Sequence, residues 1–269
     1  MKYNYVITGN EMYSPPMFME IAHLDNVRLY TNIGEDFTSP LGHVLFRLHF
    51  SKKINRIIPK PFSHYIYKRL YQPDFHNNNN LCIIFMCDKP EIYNNRKYVE
   101  TIRRQNPNAQ LVLYIVDIVG MNDKLDIEYA KNTFDLVVSY DHKDAQQYGL
   151  KYYPTPHSKI IPDTSGAMTQ SDVYFCGKAK SRERFAKIIR IFELCRAQGL
   201  KCDFIITEVP ENEKIHADEI TYNTEITYLE NCQHIINTKA IVEILQNDAS
   251  GFTPRLWDSI IHEKYLITD

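Results

Sequence analysis

Two short stretches of the chain gather the side chains best suited to holding an anion. The first, Gly177-Lys178-Ala179-Lys180-Ser181-Arg182, sets one glycine and three cations between an apolar run and a helical one. A glycine after a strand lets the backbone approach an anion, and the free N–H groups of the following helix start favour negative charge. Phosphate is the ligand this turn suits; a solvated basic loop is the alternative. The turn lacks the GK[ST] ending of a P-loop and does not point to an ATPase. The second stretch, Gln246 to Asp258, contains Ser250-Gly251, Thr253-Pro254-Arg255 and Asp258. Thr253 suits an N-cap, and Pro254 suits the first helical position, where its missing N–H costs nothing. Arg255 in the first turn opposes the helix dipole, which an anionic ligand nearby would explain. Asp258, three residues on, shares a helix face with Arg255, so a local ion pair is the other explanation.

The elements around both stretches alternate. Asp172-Val-Tyr-Phe-Cys176 reads as a strand, Ser181 as an N-cap, and Phe185, Ile188, Ile189, Ile191, Phe192 and Leu194 as the apolar face of a helix. Further strands are expected at Cys202–Thr207, Ala240–Leu245 and Tyr265–Thr268. Helices are expected at Thr224–Cys232 and from Pro254 to about Lys264. The earlier part alternates too. Strands are expected at Tyr3–Thr8, Val27–Tyr30, Leu81–Met86, Leu111–Val116 and Phe134–Ser139. Helices fall at Tyr98–Arg104, around Asp123–Lys131 and at Asp141–Tyr148. Tyr152 to Ser158 and Ile161 to Gly166 are rich in proline and without apolar period, as a domain connection would be. The expected fold class is α/β, with two Rossmann-like domains over residues 1–160 and 161–269. In such sheets the turns at the carboxyl ends of the strands bind ligands.

Between Arg47 and Arg69 seven cations are interleaved with aromatic and aliphatic residues, and no acid falls between Asp36 and Asp74. That pattern fits attraction to an anionic membrane surface, or a solvated basic face with its apolar side on the core. The lone Gly34 is too little for a dinucleotide fingerprint. A formal net charge of -2 argues against a general nucleic-acid partner. Six scattered cysteines without a CxxC pair read as reduced core thiols, and the histidines show no metal-binding spacing. No signal peptide or spanning run is evident, so a cytoplasmic location is expected, peripheral to the membrane if the basic segment binds lipid.

Val173–Arg182, Tyr228-Leu229, Ser250–Asp258 and Lys264–Thr268, together with Phe134–Asp144, resemble bacterial glycosyltransferases of lipopolysaccharide and capsule biosynthesis. The resemblance implies a GT-B fold, a nucleotide-sugar donor, no cofactor and no essential metal, and a glycan or glycolipid acceptor. It implies that Gly177, Lys180 and Arg182 face the diphosphate, and that Ser250, Gly251, Thr253 and Arg255 close over diphosphate and sugar. Asp258 falls where the family usually has a glutamate for the ribose hydroxyls. Such domains normally continue beyond the strand at which this chain ends, which makes the second domain an incomplete one by comparison. Asp36 and His43 are the candidates for a base that deprotonates the acceptor. A non-catalytic nucleotide- or glycan-binding module and a nucleotide-sugar epimerase remain the competing readings.

Overall fold

Apolar residues alternate between the two faces of each buried strand, and this builds the molecule. The computed structural model describes residues 2–9, 17–30, 36–69, 74–86, 96–119, 125–162, 168–245, 251 and 253–269. Two compact units divide the chain, Met1–Pro156 and His157–Asp269. The first holds strands β1 (Tyr3–Thr8), β2 (Val27–Tyr30), β3 (Asn80–Met86), β4 (Gln110–Ile115), β5 (Leu136–Ser139) and β6 (Lys151–Tyr152). They form one sheet in the order β2-β1-β3-β4-β5-β6, with every pairing parallel. Val6, Ile83, Leu111 and Val137 enter the core on one face, and Ile7, Met86, Tyr114 and Val138 enter that on the other. Each such burial contributes roughly 1.5–3 kcal/mol before the entropy of ordering is subtracted.

The second unit holds β7 (Val173–Lys178), β8 (Cys202–Thr207), β9 (Thr221–Tyr222), β10 (Ala240–Glu243) and β11 (Tyr265–Thr268). Their order is β11-β10-β7-β8-β9, again all parallel. Counted from the start of this unit, that is the Rossmann order, with the chain reversing its direction of travel between β7 and β10. Val173, Phe175, Phe204, Ile206 and Val242 line one face, and Tyr174, Ile205 and Ile241 the other. The chain is therefore an α/β protein of two Rossmann-like units.

Several expected boundaries move, each for a local reason. The strand expected to stop at Cys176 runs on to Lys178, because β8 pairs with it as far as Lys178↔Thr207. The helix expected from Thr224 starts at Tyr228, where Thr227 and Glu230 make a capping box, and it runs to Ile236. The short edge strands Lys151–Tyr152 and Thr221–Tyr222 carry too few residues to show a period. In the first unit the basic segment folds into three helices, Pro40–Phe50, Lys52–Asn55 and Ser63–Arg69. Among the described residues no helix is long and apolar enough to cross a membrane.

Candidate anion site at the switch point of the second sheet

β7 and β10 pair only through Ala240↔Val173 and Ile241↔Tyr174. Beyond Tyr174 the two strands have no shared ladder, and β7 continues alongside β8 alone. A crevice at the carboxyl ends of neighbouring strands that part in opposite directions is where open α/β sheets place ligands. At this end of the sheet the helix that follows β10 meets the end of β7 through Arg255 and the Cys176 carbonyl.

The helix after β7 spans Arg182–Ala197, and its N-cap Ser181 accepts from the Arg184 N–H. Lys180, just before the cap, takes a left-handed φ of 53°. A non-glycine residue held there costs of order 1 kcal/mol, a strain that clusters at functional turns. The helix after β10 spans Pro254–Ile261 and is capped by Thr253. Proline at its first position and a threonine before it are what the sequence led one to expect.

Arg255 reaches from this second helix to the end of β7. Its Nη2 donates to the Cys176 carbonyl at 2.5 Å, and its guanidinium lies 5.7 Å from the centre of the Phe175 ring. Gly177 makes this approach feasible, since a Cβ there would sit 2.7 Å from the same Nη2. The two stretches singled out in the sequence thus meet at Cys176–Gly177 and Arg255. Arg255 forms no ion pair with Asp258, so the local-pair explanation of that cation does not hold. Its side chain carries no carboxylate partner among the described residues.

A second guanidinium, which sequence reasoning missed, stands beside it. Arg184 is only 8% exposed; its Nε donates to the Lys178 carbonyl at 3.0 Å and its Nη1 to the Ile244 carbonyl. It ties the end of β7 to the residue after β10. Burial first, and the Arg255 guanidinium second, push its pKa below the ordinary arginine range, partly offset by Asp269 and Glu243. Taking a cation out of water costs several kcal/mol unless it is compensated. Two guanidiniums at one strand end therefore make a place where an anion is favoured. Arg184 was legible only as the third residue of a helix, a position usually solvated.

The other anticipated residues are placed as follows. Lys180 is exposed and makes no ion pair among the described residues. The Arg182 side chain is 90% exposed and pairs with Glu213 at 3.3 Å, and Lys178 pairs with Glu208 at 2.7 Å. Gly251 is buried, and Ser250 lies outside the described residues. The Thr253 hydroxyl donates to Glu243 Oε1 and accepts from the Arg255 N–H at 3.2 Å, so its one proton is committed to the protein. Glu243 also accepts from the Thr268 hydroxyl at 3.1 Å. In the first unit, Asp36 is half-buried in a turn, and His43 is exposed on the Pro40–Phe50 helix. The Gly34 position lies outside the described residues. No described group of His, Cys, Asp and Glu could hold a metal ion.

Asp258 departs from the ribose role that the resemblance implied. The His157 and Asp258 side chains are 4% and 3% exposed, with Nε2 to Oδ1 at 2.8 Å. The Tyr228 hydroxyl donates to the same oxygen at 2.5 Å and lies 2.9 Å from Nε2. His157 Nδ1 is buried without a hydrogen-bond partner, which fits the tautomer protonated on Nε2 and leaves no N–H stranded. Burial, followed by the Asp258 carboxylate, pushes the Tyr228 phenol pKa far up. The aspartate is an internal fastener between two helices and the residue that opens the unit.

No family model and no curated protein matches the chain. Two solved structures align over 99% of this chain and 79% of theirs, at 7% and 8% identity and TM-scores of 0.49 and 0.48. One is an alpha-glucosyltransferase in complex with UDP and a 13-mer DNA containing a central A:G mismatch. The other is an alpha-glucosyltransferase in complex with UDP-glucose and DNA containing an abasic site. Both are DNA complexes, and this corrects the expectation that a nucleic-acid partner is excluded. That expectation rested on net charge, which sums the whole surface and conceals local fields such as that of Arg47–Arg69.

Proposed function

We propose that the chain is a glycosyltransferase that moves a sugar from a nucleotide-sugar to an acceptor hydroxyl, with a surface glycan or glycolipid as the acceptor class. The observation that carries the reading is the meeting of Arg255 with the end of β7 at the switch point, beside the buried Arg184. A diphosphate is the anion such a crevice suits, since paired guanidiniums and a helix start offer several donors to neighbouring oxygens.

In this reading Arg255, Lys180 and the turn after β7 hold the diphosphate, with Arg182 at the rim. Their charge matters most as the sugar–phosphate bond breaks, when negative charge grows on the departing nucleoside diphosphate. Fixed cations do not reorganise at that moment, so they lower the barrier more than they tighten the ground state. Neutralisation by arginine and lysine also assigns no step to a metal. Deprotonation of the acceptor falls to Asp36 or His43 if the reaction inverts the anomeric centre.

The test is incubation with UDP-, GDP- and CMP-sugars, with and without EDTA, against oligosaccharide, glycolipid and duplex DNA acceptors. Sugar transfer, or hydrolysis of the donor when no acceptor is present, is the expected result. Nucleotide binding without either reaction would replace the reading with a binding module. An altered free sugar would replace it with an epimerase.

A further inference from the structure

The three helices of the basic segment present an unusual surface. Along Pro40–Phe50, Leu41, Val44 and Arg47 recur at helical spacing and are all exposed, Leu41 at 65% and Val44 at 53%. After Lys52–Asn55 the chain exposes Arg56, Ile57, Ile58 and Pro59 in succession, with Ile57 at 83%. Phe62 follows at 49%. Exposed aliphatic residues also occur elsewhere in the chain, Ile161 and Ile260 among them, but here five large hydrophobic side chains are exposed between Leu41 and Phe62 in a segment that is also basic. Of the cations among them, Lys60 lies 4.9 Å from the centre of the Phe50 ring and Arg69 3.9 Å from that of Tyr65, while four others make no ion pair among the described residues. Arg47, Lys53, Arg56 and Lys68 are exposed and form no ion pair with any described carboxylate, and no acid lies between residues 36 and 74.

We propose that these helices dock the first unit on an anionic lipid bilayer. Charge complementarity selects the surface, since each lysine or arginine near an anionic leaflet contributes about 1 kcal/mol. Ile57 and Ile58 select a bilayer over a nucleic-acid backbone, because aliphatic side chains gain from entering the acyl boundary and have nothing to gain at a phosphate. Leu41 and Val44, on the adjoining helix, add apolar area. The inference does not depend on the switch-point site, which lies in the other unit.

Co-sedimentation with vesicles tests it directly, using phosphatidylcholine alone and phosphatidylcholine mixed with phosphatidylglycerol. The full chain is expected to pellet with the mixed vesicles and to stay in solution with the neutral ones. Replacing both Lys53 and Arg56 by glutamine should weaken binding roughly thirtyfold. An Ile57→Ser, Ile58→Ser double variant should lose binding while keeping its circular dichroism and unfolding midpoint, since both side chains are already in water. Equal pelleting with both vesicle types would overturn the proposal, as would no pelleting with either. So would binding to duplex DNA that needs Lys53 and Arg56 and ignores Ile57 and Ile58, which would make this a nucleic-acid surface.

Discussion

At the scale of single residues, the second unit turns on a contact between a backbone that must be bare and a side chain that must be long. Gly177 leaves the space into which Arg255 lays its guanidinium on the Cys176 carbonyl. A Gly177→Ala substitution would place a methyl 2.7 Å from Nη2 and 3.3 Å from the Phe175 ring. The arginine tip is flexible, so the fold should survive with a stability loss of about 1 kcal/mol. The displaced guanidinium should cost about tenfold in affinity for a nucleoside diphosphate, the worth of one charged hydrogen bond. Calorimetric titration reads both the affinity and its change, and undiminished binding would show that Arg255 need not lie where it does. Both residues stood out in the sequence because glycine and arginine occupied positions with little local reason for them. Arg184 did not stand out, since burial of a helix residue is decided by the neighbouring strand end, and that is a tertiary fact.

At the scale of elements, the helix Pro254–Ile261 carries Arg255 at one end and is fixed further along by Asp258. The Tyr228 hydroxyl and His157 Nε2 converge on one buried carboxylate oxygen, joining this helix to Tyr228–Ile236 and to the start of the unit. Losing a hydrogen bond to a charged group inside a protein costs about 1.5–3 kcal/mol, and stranding a buried partner costs more. Asp258→Ala should therefore lower the unfolding free energy of the second unit by about 3 kcal/mol, and Asp258→Asn by less. Denaturant titration followed by circular dichroism measures this. An alanine variant as stable as the parent would return Asp258 to a ligand-facing role. The helix itself was legible from Thr253 as its N-cap and Pro254 as its first residue. The partner of Asp258 was not, because His157 sits in a proline-rich connection that carries no periodic signal.

At the scale of the whole molecule, strand positions were the most legible feature. Tyr3–Thr8, Val27–Tyr30, Cys202–Thr207 and Tyr265–Thr268 fall where the apolar runs put them. Strand order was not legible, since β7 and β10 meet only after the chain has crossed the sheet, and order is what makes the crevice. Both units also share a response to alkali. Burial, ahead of neighbouring charges, raises the phenol pKa of Tyr114 and Tyr140 in the first unit and of Tyr174 and Tyr228 in the second. A raised phenol pKa means that the folded chain keeps a proton the unfolded chain releases. The stabilisation is complete below the ordinary value near 10 and is lost as pH rises above it. Urea midpoints should fall between about pH 8 and about pH 11 in both units, and a flat profile would contradict the burial of these hydroxyls.

The central claim, that two turns of the second sheet close on a diphosphate, is tested most directly by titrating UDP and GDP into the full chain and into Arg255→Ala. Saturable binding is expected in the parent, weakened about 10- to 100-fold in the variant, as the removal of one charged hydrogen-bonding group predicts. Equal affinity in the two proteins, or no binding of either nucleotide by the parent, would contradict it.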